Sequence, residues 1–407
     1  MSDALAFARG QSVALSLRSG GHGLSGRSTN DGGIVIDLSP MNAIEVLDPA
    51  TRRVRIEPGA IFSHVAAVLA PHGWALSSGD YGGVGVGGLA TGGGIGWLVR
   101  EHGLTIDHLL GADVVLADGT HVHASDRENP ELFWGLRGAG ANFGVVTAFE
   151  FEVDEVGPIG FAQMAFDAEE LPALLLRWND VMADAPRDLT TNLIVGHRIG
   201  RPQIAQLSAV VDAADPNVVA QRVEQIAEIA PLLDARVRII EYAELMRAYP
   251  GSHVGRGEPA VRSGLVEEIS EQFATAAARL LATGVVFFFQ MRSMGGAVAD
   301  VPVDATAFAH RSARFQLNAF GTGRVRLNAV WDDVYQHLSG LYLNFETDQG
   351  AQRLHDAFPP RTLQRLRLLK TQVDPDNVFR DNFNIAPQLD GTTAHASPSH
   401  TSRRRTP

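Results

Sequence analysis

The chain has 407 residues, 45% apolar and 20% charged, which is enough to bury a large core and to divide into two domains. A formal net charge of −12 argues against a nucleic-acid surface, and no apolar run approaches the ~20 residues of a spanning helix. Cysteine is absent, which excludes disulfides, thiolate metal sites, thiol nucleophiles and cysteinyl cofactor links.

A helix is expected from Ser2, and the apolar stretch Val13 to Leu17 leads into the run Arg18, Ser19, Gly20, Gly21, His22, Gly23, Leu24, Ser25, Gly26. One imidazole among four glycines leaves backbone N–H groups bare for a phosphate. Taken alone, His22 reads first as a hydrogen-bonded turn residue, and Ser25 lacks the strand–turn–helix setting of a hydrolase nucleophile. Gly32 to Asp37 and Arg53 to Glu57 read as short strands. Phe62, Val65, Ala66, Val68 and Leu69 recur at helical spacing between Pro58-Gly59 and Gly73.

Next, Gly79 to Gly94 holds nine glycines in sixteen positions, among them Gly79, Gly85, Gly87, Gly88, Gly92 and Gly93, with Asp80, Tyr81 and Val84 between them and Ile95 just after. Backbone there can approach a ligand closely. Gly85 to Ala90 formally matches Gly-x-Gly-x-x-Ala, but the triple glycine that follows would break the helix that a dinucleotide fold needs, and no Gly-Lys-Ser/Thr follows for a P-loop. Ala112 to Ala117 reads as a strand turning at Asp118-Gly119. His121 and His123 alternate on one strand face, and a solvent-facing hairpin is expected there rather than half a metal site. Gly144, Val145 and Val146 open a further strand running to Phe151.

From Asp154 the glycines thin out. Pro216 to Ala230 and Val261 to Ala282 look helical, Val285 to Met291 and Ala313 to Ala319 look like strands, and Arg361 to Lys370 is a helix closed by Asp374-Pro375. The expected organisation is α+β: a first domain over 1–153, a second over 154–338, a returning segment over 339–387 and a disordered tail over 388–407. Along the phenylalanine-rich strand, Gln290 and Arg292 would point alternately into a cavity. Asn382 and Asn384 are candidates for polar contacts in a pocket.

Four segments, in order, resemble the FAD-linked oxidoreductases of the berberine-bridge-enzyme-like family, within the vanillyl-alcohol oxidase and p-cresol methylhydroxylase superfamily. They are Arg18 to His22, Gly79 to Thr105, Glu128 to Val146 and Asp374 to Ile385. The resemblance implies a PCMH-type FAD-binding domain, an antiparallel-sheet substrate domain and a C-terminal segment that returns to the first. It implies an 8α-histidyl bond from His22 to the flavin, with residues 18–26 and 79–95 enclosing the pyrophosphate and flavin edge and Gly144, Val145 and Val146 along the adenosine. Some relatives add a cysteinyl bond where this chain has Tyr81, so only single attachment is expected. Tyr342-Leu-Asn-Phe345 matches the family's Tyr-x-Asn motif, and Tyr342 is the expected base.

Family members usually carry a few tens of residues before the helix at Ser2, so a shortened first domain, an exposed edge strand and weaker FAD retention are expected. The implied function is hydride transfer from an alcohol, sugar or amine to covalent FAD, reoxidised by O2, in a cytoplasmic protein with no nucleic-acid or membrane partner. An NAD(P)H-dependent reductase of related fold and a degenerate, non-catalytic FAD-fold protein remain open as alternatives.

Overall fold

The computed structural model describes residues 1–11, 13–196, 202–249, 260–380 and 383–388. Two parallel strands, β1 (Leu15–Arg18) and β2 (Ile34–Asp37), pair in register and are crossed by the helix Ser2–Gln11, whose Leu5 and Ala8 pack with Leu15, Ile36 and Leu38. The histidine-bearing glycine run is therefore the loop that leaves a parallel strand. Beside this layer lie β3 (Ile44–Asp48) and β4 (Arg53–Ile56), then a short pair made by β5 (Trp74–Ala75) and a later strand. The helix Phe62–Leu69 buries Phe62, Val65, Ala66 and Leu69 and continues as a 3-10 turn, Ala70–His72, which ends at Gly73, whose φ of 70° suits glycine.

The hairpin of β6 (Leu109–Val115) and β7 (His121–Ser125), with β8 (Val145–Glu152), completes a five-stranded antiparallel sheet in the order β3-β4-β8-β6-β7. The partner of β5 is β9 (Asp154–Glu155). His123 bonds Asp113 through Nδ1 (2.9 Å) and His121 meets the Ser2 hydroxyl (2.8 Å). Among the described residues no metal-binding cluster of His, Asp and Glu forms.

A second, seven-stranded antiparallel sheet consists of β10 (Ile159–Asp167), β11 (Leu189–Gly196), β12 (Ile204–Val211), β13 (Leu232–Ile240), β14 (Val261–Val266), β15 (Val286–Ser293) and β16 (Phe315–Gly321). Their order is β13-β10-β12-β11-β15-β16-β14. The helices Leu171–Asp184, Pro216–Ala227, Glu271–Ala282 and Arg324–Tyr335 share one core with Phe289, Met291, Leu317 and Ala319. Strand alternation then turns Phe288, Gln290 and Arg292 of β15 to the opposite face. The architecture is α+β, as expected.

One element departs from the sequence reading. Val261 to Val266 is strand β14, buried at every position and paired with β16, and the helix starts only at Glu271. Ser270 caps it by accepting the Phe273 N–H (3.2 Å). With Arg262, Ser263 and Gly264 in its middle, the segment shows neither a continuous apolar run nor a clean alternation, so only its pairing with β16 marks it as a strand. No helix among the described residues is long and apolar enough to cross a membrane.

Candidate functional site

The two glycine runs meet backbone to backbone. A Cβ on Gly20 would overlap the Gly85 amide, and one on Gly85 would overlap that of Gly20, so only glycine lets the loops close together. Ser19 fixes the contact by donating its hydroxyl to the Pro58 carbonyl (2.5 Å). The amides of Gly20, Gly21 and Gly23 meet no backbone carbonyl of the described residues, which leaves them as donors beside a cavity of about 580 Å³.

Of the expected binding residues, Ser19, Gly20, Gly21, His22, Gly23, Ser25, Gly79, Asp80, Val84, Gly85, Gly87, Gly88, Ile95, Gly144 and Val146 line this cavity, as does Tyr342. Arg18, Gly92, Gly93, Val145 and Asn384 are not among its walls. Arg18 is exposed at the end of β1, and Val145 is buried with Leu5, Leu15 and Val115. Gly92 and Gly93 instead make room for Asn344 and for the Tyr342 ring. Asn384 is exposed; Asn382 and residues 389–407, the bulk of the expected tail, lie outside the described residues.

At the sheet side, Tyr342 is buried and its hydroxyl oxygen accepts the Gly94 N–H (3.0 Å) and the Asn344 amide N–H (2.8 Å). Both lone pairs are engaged, so the hydroxyl hydrogen is left for a third partner. Burial pushes the Tyr342 phenol above its usual 10, against the lowering effect of those two bonds and of the Arg292 charge. Arg292 reaches across to Asp80 with Nε (2.8 Å) and Nη2 (2.5 Å), gives Nη1 to Gln316 (2.6 Å) and lies over the Phe345 ring (4.7 Å). Tyr81 exchanges hydrogen bonds with the Tyr249 backbone, and its ring centre stands 5.8 Å from that of His22.

Other walls were not singled out from sequence: Leu15, Leu17, Leu38, Phe288, Phe320 and Phe379 are among them. The aromatic-rich strand was the available signal for Phe288. Phe379 sits inside the terminal motif that did register as a unit.

The family model "FAD binding domain" matches residues 1–125, and "Berberine and berberine like" matches residues 341–386. (R)-6-hydroxynicotine oxidase of Paenarthrobacter nicotinovorans is 30% identical over 94% of this chain and 88% of its own length. The chain belongs to the berberine-bridge-enzyme-like family of FAD-linked oxidoreductases. Chitooligosaccharide oxidase of Gibberella zeae is 27% identical over 92% of this chain and 83% of its own. Among solved structures, 6-hydroxy-D-nicotine oxidase from Arthrobacter nicotinovorans superposes with a TM-score of 0.82 at 27% identity, covering 95% of this chain and 90% of that one. This member is accordingly a FAD-dependent oxidoreductase.

The residues present fit the cofactor. The bare glycine amides suit a pyrophosphate, the apolar walls at Leu15, Leu17, Val146 and Phe379 suit flat rings, and the glycine-on-glycine contact is the kind of cradle that a Cβ would fill.

Proposed function

We propose that this family member oxidises a small-molecule alcohol, sugar or amine with FAD held in the described cavity and joined to His22 by an 8α-histidyl bond, and with O2 as final acceptor. The observation that carries the reading is that His22, both glycine loops and Tyr342 wall one cavity. Bound FAD supplies the hydride acceptor for a substrate C–H bond. The amides of Gly20, Gly21 and Gly23 would hold its phosphates, while Leu15, Leu17, Gly144 and Val146 would cover the adenosine end. The His22 imidazole is a competent nucleophile for the bond, and the lack of cysteine excludes a second, cysteinyl attachment.

The ionised form of Tyr342, which the Gly94 and Asn344 donors stabilise, would accept the hydrogen bond of the substrate's O–H or N–H and take that proton. The oxidase relatives support O2 over a nicotinamide partner.

Acid precipitation of the purified protein tests the attachment. A yellow, fluorescent pellet is expected, and His22→Ala should move the colour to the supernatant. Free FAD released from the unaltered chain would end the covalent reading, and absence of a flavin band after FAD supplementation would end FAD binding in this cavity. Anaerobic bleaching of the flavin by a panel of alcohols, sugars and cyclic amines then identifies the substrate.

A further inference from the structure

The Asp80 carboxylate is used on one side only. Four donors converge on its Oδ2: Nε and Nη2 of Arg292, the Gln290 amide (3.4 Å) and the Asn192 amide (3.5 Å). Its Oδ1 has no hydrogen-bond partner among the described residues, is not shut off from solvent, and belongs to a residue that lines the cavity. Asp80 comes from the glycine loop and Arg292 from β15, 212 positions away in sequence, so the pair closes the cavity between loop and sheet.

The charges cancel, which removes the cation that a carboxylate substrate would need, while an acceptor still faces the cavity. The rings of Phe288, Phe320 and Phe345 wall the same cavity.

We propose that Asp80, balanced by Arg292, is a specificity-determining residue that accepts a hydrogen bond from an O–H or N–H of a ring-bearing neutral or cationic substrate and turns carboxylates away. The inference rests on the substrate site proposed above. It predicts that the pair sets the sign of charge the cavity accepts. A site built to receive a donor rejects ligands that lack one, because the acceptor is then left unmet. A carboxylate ligand, lacking a donor and carrying like charge, leaves Asp80 unmet and repelled.

The probes are benzylamine (protonated at neutral pH), benzyl alcohol and benzoate, three ligands of one shape and different charge. Binding is read on the holoprotein from perturbation of the flavin spectrum and, independently of any flavin, from the shift of the thermal midpoint. The unaltered protein should bind benzylamine and benzyl alcohol about 10-fold or more tighter than benzoate, the scale of one hydrogen bond to a charged group.

Asp80→Asn, which keeps the shape and frees the Arg292 charge, should weaken benzylamine about 10-fold and bring benzoate up to or past it. Arg292→Gln should move the ranking the opposite way, towards the amine. A structural defect would weaken all three ligands together, so opposite shifts in the two variants are the signature. Preference for benzoate in the unaltered protein, parallel losses in both variants, or no binding of any probe would overturn the proposal. If the protein holds no flavin, the thermal shifts still report on Asp80, which separates failure of the cofactor reading from failure of this one.

Discussion

Tyr342 accepts two hydrogen bonds and sits above its ordinary pKa because burial outweighs them. Its ionised form is therefore a minority at neutral pH and grows as pH rises. If that form takes the substrate's proton, the rate of anaerobic flavin reduction should climb about tenfold per pH unit from neutrality and show no plateau below pH ~10. Tyr342→Phe should lower the rate by about 10²–10⁴-fold and flatten the profile, as read by stopped-flow with a substrate found in the anaerobic screen. A profile in the variant parallel to that of the unaltered protein would remove Tyr342 as the proton acceptor. At this scale the glycine contacts were legible, because a residue without a side chain in so dense a run implies close backbone approach. Arg292 and Gln290 were legible only as alternating strand positions. That Arg292 meets Asp80 depends on how loop and sheet pack together, which local pattern does not encode.

Among the elements, the short helix Val99–His102 ties the first sheet's surroundings to the second. His102 places Nε2 on Asp212, just past β12 (2.7 Å), and Nδ1 on Asp154 in β9 (3.3 Å). With both ring nitrogens facing carboxylates the ring must donate twice, which requires imidazolium. Burial opposes that charge, but bonding to Asp154 and Asp212 and their negative charge prevail and raise the His102 pKa from 6.5 to about 10. Since the folded value lies above the unfolded one, the stabilisation is complete below about pH 6.5 and is lost as pH climbs towards 10. His102→Gln should cost about 2 kcal/mol at pH 6 in denaturant unfolding, a gap that narrows steadily to pH 10. A gap independent of pH would mean that the ring serves only as packing. The element order teaches a related lesson. β14 was misread because Arg262, Ser263 and Gly264 deny it a strand pattern and no glycine or proline separates Val266 from the next helix, although Ser270 carried the helix-start signal.

For the whole molecule, the decisive connection is the return of the C-terminal segment to the first sheet's side. Lys370, wholly buried in the helix Pro360–Val373, pairs with Asp374 (2.7 Å) and donates to the carbonyls of Asn142 (2.7 Å) and Phe379 (2.8 Å). Asp374 in turn accepts the Val378 and Phe379 amides, and the Asn142 side chain accepts the Ile385 amide (3.1 Å). One buried ion pair thus fixes both the loop before Gly144 and the residue Phe379, each a wall of the cavity. Burial pulls the Lys370 pKa down while Asp374 pulls it up, so the ammonium depends on its partner. Lys370→Met would strand a buried carboxylate and two carbonyls, costing about 3–5 kcal/mol. Adding Asp374→Asn should recover part of that loss, because the stranded charge goes with it. Noncovalent FAD uptake measured in a His22→Ala background should weaken with Lys370→Met, since the Phe379 wall loses its anchor. Equal FAD affinity with and without Lys370 would confine the pair to stability and separate the returning segment from the cofactor site.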